Sequence, residues 1–447
     1  MIPNLAEIVR QFKQKWTTQL EPQAIEHACR EAGLTWRNRL LSPVVTVQLF
    51  FLQILNGNTA CTHMRHLARM AFTATAYCKA RTRVKLEVFQ TLLSRVAGAL
   101  RQHTLDAGLW LGHRVFLVDG SSFSMPDTPV LQHQFGQPGG QKKGCGFPVA
   151  HWLAMMHAGT GMLTKMLTAP LRAHDLSGVT ELHPELRAGD VLVGDRAFCS
   201  FVHLALLFQR GVQALMRIHQ RQIVDFTPHR KHAVPGKGKT AYQKGLPRSR
   251  WLRQLGPTDQ IVQWHKPTTC PTWFDPIQFA ALPDTLVLRE LRFHVTEKGF
   301  RTKRITLVTT LLDAEVYSFE AVTELYGQRW RIETNFGHIK ITMEMDVLKC
   351  KTVEGVLKEL AVFALIYNLV RQVMLEAARR QHVDVERISF IDALRWLTLA
   401  QPGDKLCKLV VNPHRPFRIE PRVRKRRPKQ YPLMTQPRKA LPKKLLS

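Results

Sequence analysis

The spacing of apolar residues changes along the chain from a helical period to a strand-like one. In the first 105 residues, apolar side chains recur every three or four positions, as at Val88, Leu92, Val96 and Leu100. This period places them on one face of a helix. The pattern therefore predicts a helical N-terminal domain over residues 1–105.

Short apolar runs bounded by turn residues follow, and such runs are typical of buried strands. They predict strands at 114–119, 149–156, 163–167, 190–195, 214–218 and 304–312. Helical periods predict helices at 200–210, 318–343 and 353–380. Strands that alternate with helices indicate an α/β fold, in which helices flank a central sheet.

One segment departs from this alternation. Residues 219–303 contain β-like pieces such as 285–295, separated by Pro and Gly. Because strands without intervening helices do not continue an α/β pattern, we interpret the segment as a β-rich, basic insertion domain. It divides the predicted α/β core into 106–218 and 304–400, and residues 401–447 form a separate C-terminal region.

The chain carries a positive charge that folding does not need. It has 64 Lys and Arg against 34 Asp and Glu, which gives a formal net charge of +30. Such an excess predicts an anionic partner, either nucleic acid or an anionic membrane surface. The longest apolar stretches, 44–55 and 360–370, fall short of the ~20 residues that a spanning helix needs. Nucleic acid is therefore favoured, and no membrane contact is expected.

The positive charge is concentrated in two segments. Residues 217–257 contain ten Lys and Arg with one acidic residue, and residues 412–447 contain twelve with one. The second segment is also rich in proline, which predicts an extended basic C-terminal arm. A solvated charge run is the ordinary explanation for one such segment. Two of them in one chain favour contact with a phosphate backbone.

Two aspartates share one sequence context. Asp119 follows the apolar run VFLV, and Asp195 follows VLVG. Open α/β sheets place their sites beyond the ends of such strands, so the two carboxylates converge if the strands are neighbours. Carboxylate oxygens that meet in a basic protein suit Mg²⁺, which also takes phosphate oxygens. The alternative is that each aspartate only forms a turn.

The predicted helix 318–343 carries a second pattern. Tyr326, Arg329, Glu333 and Lys340 fall within about 60° of arc, beside an apolar face. Gly337 lies near the same flank, where a missing side chain would let another backbone approach. The alternative is a solvent-facing stripe with an Arg–Glu ion pair.

Three motifs in order carry a resemblance to a known family. The spacing Y-x2-R-x3-E-x6-K, here YGQRWRIETNFGHIK, resembles the signature of insertion-sequence transposases of the IS-four family, a bacterial DDE group. The segment VDGSSFSMPDTPVLQHQFG is similar to the family's first-aspartate region, and GDRAF is similar to its second. The resemblance covers roughly residues 10 to 420.

The resemblance implies an RNase H-like core, a mixed sheet with flanking helices interrupted by the β-rich insertion. Asp119, Asp195 and Glu333 would form the catalytic acidic triad and hold two Mg²⁺ ions, for which Mn²⁺ can substitute.

The same resemblance implies a set of DNA-binding residues. Arg329 and Lys340 would contact phosphates near the transposon end, and Tyr326 would hydrogen-bond a phosphate oxygen. Arg196 of the GDRAF motif is expected to bind DNA as well. Trp330 either stacks on DNA or packs within the protein.

The expected function is that of a cut-and-paste DNA transposase. It would bind the terminal inverted repeats as a homodimer, cleave double-stranded DNA at the ends, and join them to target DNA. The eight cysteines include no C-x-x-C pair, which favours a reduced cytoplasmic setting in a bacterium, at the nucleoid when DNA is bound. Two alternatives remain: a catalytically inactive DNA-binding protein derived from a transposase, and another RNase H-like DNA nuclease.

Overall fold

The N-terminal part is helical, in agreement with its apolar period. The computed structural model describes residues 17–103, 108–171, 178–233, 245–295 and 304–413, together with residues 7, 434–437 and 440. Its first helices are α1 Pro22–Glu31, α2 Pro43–Leu55, α3 Met64–Ala68, α4 Ala74–Arg83 and α5 Leu86–His103. The Ser42 hydroxyl caps α2 by accepting a hydrogen bond from the Val45 amide at 3.3 Å. Helix α2 is apolar over most of its length, and nine of its residues are buried.

A single mixed sheet forms the centre of the fold. Its strands are β1 Val115–Ser124, β2 Val149–His157, β3 Leu163–Pro170, β4 Val191–Gly194, β5 Gln213–Arg217, β6 Arg250–Gly256, β7 Asp259–His265, β8 Thr285–His294 and β9 Arg304–Thr309. Their order in the sheet is β3-β2-β1-β4-β5-β9-β8-β7-β6. Strands β4 and β5 run parallel to β1, whereas β2 and β9 run antiparallel to their neighbours. The fold is therefore mixed α/β, as predicted.

The strands of the 219–303 segment continue this sheet. Strand β9 pairs with β5 on one side and with β8 on the other, and β7 and β6 follow outward. The strand character of the segment agrees with the sequence. Its strands do not form a sheet of their own, because β9 joins them to β5 by backbone hydrogen bonds.

The segment predicted as one helix over 318–343 is interrupted, so that prediction is wrong in detail. The remaining helices are α6 Pro129–Phe135, α7 Phe201–Gln209, α8 Pro276–Ala280, α9 Phe319–Gly327, α10 Trp330–Gly337, α11 Val353–Gln381 and α12 Phe390–Leu399. Gln328 and Arg329 form a turn between α9 and α10, and residues His338–Thr342 form a π-helical turn. The amide of Met343 donates to the carbonyl of His338 at 2.9 Å, which is the i to i+5 bond of that turn.

Helix α11 runs through the largest apolar cluster, where α5, α2 and one face of the sheet pack around it. Within the described residues, no helix has the length and apolar character needed to cross a membrane. Most of the predicted basic C-terminal arm, residues 414–433 and 441–447 included, lies outside the described residues.

Candidate active site

Asp119 and Asp195 lie side by side on neighbouring parallel strands. Val118 on β1 pairs with Gly194 on β4, so the residue that follows each occupies the next position along. A side chain at Gly194 would meet the Met216 sulfur at 2.7 Å and Val118 at 3.1 Å. Glycine at this position therefore leaves room for the side chains of Met216 and Val118 directly before Asp195.

The environment of Asp119 differs from the strand end that the sequence predicted. Strand β1 continues to Ser124, and Asp119 lies within it, opposite Ala154 of β2. Burial raises the pKa of Asp119 to about 6, although the Gly120 amide and Arg329 favour the charged form. Glu333 and Asp195 raise this pKa further, so both lie close enough to Asp119 to act on its charge.

Arg329 links two of the three acids. Its Nη1 lies 3.3 Å from Asp119 Oδ2, and its Nη2 lies 2.9 Å from Glu333 Oε1. Arg329 is only 5% exposed and so does not face solvent, whereas the Arg–Glu ion pair of the alternative considered above is present. Burial lowers the pKa of Arg329, but Tyr326, Glu333 and Asp195 outweigh that effect and raise it. The guanidinium is therefore charged and neutralises part of the acidic cluster.

The acidic side chains have the chemistry of a site for divalent metal. Three carboxylates supply the hard oxygen ligands that Mg²⁺ and Mn²⁺ prefer. Asp195 Oδ1 is buried and has no hydrogen-bond partner among the described residues, as expected of an atom that can accept a metal. Within the same residues, however, no three His, Cys, Asp or Glu side chains are gathered closely enough to hold an ion. The three carboxylates are therefore suitable metal ligands, but in this structure Asp119 and Glu333 pair with Arg329 instead.

Lys340 reaches the same strand from the π-helical turn. Its Nζ donates to the hydroxyl of Ser121 at 3.2 Å, two residues beyond Asp119 on β1. Burial lowers the pKa of Lys340, an effect that Asp346 opposes. No sequence pattern singles out Ser121, because its contact with Lys340 is made across the fold.

The rings of Tyr326 and Trp330 both lie near the Arg329 guanidinium. The guanidinium carbon lies 4.9 Å from the Trp330 ring and 5.9 Å from that of Tyr326. Tyr326 is buried in the main apolar cluster, and this burial raises its pKa to about 12. Trp330 is 38% exposed. Tyr326 is therefore a packing residue close to the acids, and Trp330 is partly accessible.

Arg196 lies beside the acids but points outward. It opens a short 3₁₀ turn, Arg196–Phe198, directly after Asp195. Its Nη1 donates to Gln220 Oε1 at 3.0 Å, and the side chain is exposed. The structure thus brings Asp119, Asp195, Glu333, Tyr326, Arg329, Trp330 and Lys340 to one region, with Arg196 at its edge.

The chain is similar in sequence to known transposases. Residues 110–369 match the sequence model of a family described as "Transposase DDE domain". The chain is 26% identical over 390 residues to the transposase InsG for insertion sequence element IS4 of Escherichia coli, covering 82% of this chain and 79% of that protein. It is 30% identical over 152 residues to a putative transposase InsZ of the same organism, covering 33% and 48% of the two chains. A piggyBac transposase in a synaptic complex with hairpin DNA superposes with a TM-score of 0.47 at 10% identity, covering 89% of this chain and 80% of that one.

Proposed function

Because this chain belongs to the DDE transposase family, we propose that it cleaves the ends of an insertion sequence and joins them to target DNA. The juxtaposition of Asp119, Asp195 and Glu333, with Arg329 between two of them, carries the proposal. Similarity over most of its length to an insertion-sequence transposase supports it. The cut-and-paste route and recognition of terminal inverted repeats are part of the proposal.

We also propose that the core is RNase H-like. The order β3-β2-β1-β4-β5, with three antiparallel strands followed by two parallel ones, supports this fold. On this view 106–218 and 304–400 form the catalytic core, and 219–303 is inserted between them. Residues 1–105 and 401–447 would contact DNA outside the core.

The acidic side chains would hold the metal. We propose that Asp119, Asp195 and Glu333 bind two Mg²⁺ ions, or Mn²⁺ in their place. Metal ions bound there activate the attacking oxygen and stabilise the leaving one in an in-line displacement. The attacking group would be water for cleavage and a DNA 3′-hydroxyl for joining.

The cationic side chains would hold the DNA backbone near those acids. Arg329 can bind a phosphate in a bidentate manner, and Lys340 supplies a point charge beside β1. Arg196, exposed at the edge, would contact the strand further along. Trp330 is accessible enough to stack on a base, whereas the burial of Tyr326 limits its role to what its hydroxyl can reach.

Gly337 marks a place for DNA to approach α10. An ideal Cβ at this position meets no described atom within 4 Å, and the backbone is ordinary helix with φ −58° and ψ −42°. Neither backbone conformation nor internal packing therefore requires glycine here. We propose that a DNA strand crosses the helix at this residue, between Glu333 and Lys340.

The test is metal-dependent cleavage of a duplex that carries the inverted repeats flanking the gene. Asp119→Asn, Asp195→Asn and Glu333→Gln should each still bind this duplex and lose at least 100-fold in nicking with Mg²⁺. Glu324→Gln, an exposed change on α9, is the matched control and should nick normally. Wild-type nicking by any of the three variants would remove that residue from the site.

The same experiment separates the alternatives. An inactive DNA-binding derivative would bind the duplex without nicking it, even as wild type. Another RNase H-like nuclease would nick duplexes with and without the repeats alike, and would not join the cleaved ends to a second duplex. Size-exclusion chromatography of the protein–DNA complex tests the proposed homodimer.

A further inference from the structure

We propose that Arg329 controls metal binding: it pairs with the acids in the DNA-free protein, and a DNA phosphate that takes its guanidinium releases them for metal. This inference rests on the proposed function. It assigns to one residue two successive partners, first the carboxylates and then the DNA.

The contacts of Arg329 place it in competition with a metal ion. It pairs with Asp119 Oδ2 and Glu333 Oε1, oxygens that a metal ion at these acids could also use. A guanidinium and a divalent cation that bind the same carboxylates repel each other. Metal binding to the DNA-free protein therefore competes with the Arg329 contacts.

The guanidinium is suited to a second partner. Its Nε is buried and has no hydrogen-bond acceptor among the described residues, so one donor is unused while the side chain pairs with the acids. Phosphate oxygens accept guanidinium N–H groups in pairs and compensate the positive charge that the carboxylates now compensate. The partly exposed Trp330, 4.9 Å from the guanidinium, offers a surface along which the side chain can move towards solvent.

The consequence is reciprocal coupling between metal and DNA. If DNA binding draws Arg329 from the acids, DNA raises metal affinity, and metal raises DNA affinity by the same factor. The site would then acquire metal mainly when a DNA backbone is present. A purely structural Arg329 would add nothing to the coupling that phosphate ligands of the metal provide, because its pairing with the acids would persist in the complex.

Mn²⁺ binding, followed by the electron paramagnetic resonance signal of the unbound ion, tests the proposal. The full-length protein is titrated alone and with a pre-cleaved end duplex, which has no bond left to cut. For wild type we expect the duplex to tighten Mn²⁺ binding about tenfold. Arg329→Met, which keeps side-chain volume but not charge, should bind Mn²⁺ about tenfold more tightly without DNA, and the duplex should tighten binding less than it does in wild type.

Two further variants make the outcome specific. Arg329→Lys keeps the charge but cannot bridge two carboxylates, so its Mn²⁺ affinity should fall between those of wild type and Arg329→Met. This variant also tests the inference if Arg329→Met does not fold. Arg331→Ala removes a nearby arginine that donates to the Ala158 carbonyl at 3.4 Å, and it should behave as wild type.

Unchanged or weaker Mn²⁺ binding by a folded Arg329→Met, or coupling in that variant as strong as in wild type, would overturn the inference. If wild type nicks the repeat-bearing duplex while Arg329→Met shows neither effect, only the inference fails. If wild type neither nicks DNA nor binds Mn²⁺ with or without the duplex, the proposed function itself fails.

Discussion

Replacing Gly337 by alanine should have opposite effects on the stability of the protein and on its activity with DNA. The new methyl group would meet no described atom within 4 Å, and the local φ and ψ are those of an ordinary helix. Alanine is favoured over glycine in a helix by about 0.5–1 kcal/mol. The variant should therefore be more stable by about this amount, with a melting temperature about 1–3 °C higher.

The same methyl group should impair catalysis on DNA. It would stand beside Glu333, in the place where we propose that a DNA strand crosses α10. A displacement of about 1 Å at a reacting centre can cost up to about 100-fold in rate. We expect Gly337→Ala to lose at least about tenfold in nicking of the repeat-bearing duplex, which corresponds to about 1.4 kcal/mol.

Gly98 on α5 provides a matched control, since its ideal Cβ also meets no described atom within 4 Å. Gly98→Ala should stabilise the protein to a similar degree and leave nicking unchanged. Calorimetric melting and a nicking time course are measured on the same samples. A stabilised Gly337→Ala that nicks DNA at the wild-type rate would refute the argument that DNA passes over this residue.

Two predictions concern stability. Burial lowers the pKa of His183 to about 3 and that of His203 to about 4, so both are neutral in the folded protein. The stability that comes from keeping both histidines neutral is fully present above the unfolded pKa of about 6.5. As the pH falls towards 4, the free energy of unfolding should decrease by about 1.4 kcal/mol per pH unit for each histidine, as measured by urea unfolding. Asp190→Ala should cost about 3–5 kcal/mol in the same assay, because it leaves the Arg114 guanidinium, now 2.6 Å from Asp190 Oδ2, unpaired and largely buried.

Each of these predictions has its own control. Replacing both His183 and His203 by leucine should flatten the dependence of unfolding free energy on pH between 6.5 and 4, whereas a steep wild-type slope retained in that variant would contradict the assignment. Arg114→Met should recover part of the stability lost in Asp190→Ala, since the double variant buries no unpaired charge. Additive losses in the double variant would show that the two side chains do not act as a pair.

Sequence patterns located most of the core because its elements are buried. The apolar runs predicted β2, β4 and β5 within about two residues, and the helical period predicted the ends of α11 with similar accuracy. In these elements burial and local preference agree, so periodicity alone identifies them.

The sequence could not predict features that depend on contacts between distant residues. Gly120 and the serines after it look like a turn, yet pairing with β2 keeps them in β1. Likewise, the spacing of Tyr326 and Arg329 predicted that they share one flank of the helix. It did not predict that both are buried, because their burial depends on parts of the chain that are distant in sequence, such as the strand of Asp119. The 219–303 segment had recognisable strands, but only the pairing of β5 with β9 determines which sheet they join.

That pairing has a consequence for synthesis of the protein. Strand β5 leaves the ribosome early, whereas its neighbour β9 follows only after the whole 218–303 stretch has been made. At about 5–20 residues per second, the free edge of β5 waits roughly 5 to 15 s for its partner. During this interval the nascent chain presents unpaired N–H and C=O groups to other chains, which makes it prone to aggregate. Truncation before residue 304 would make that exposure permanent, so we expect a shortened product to be poorly soluble. It would also lack Glu333, one of the acids that we propose to hold metal.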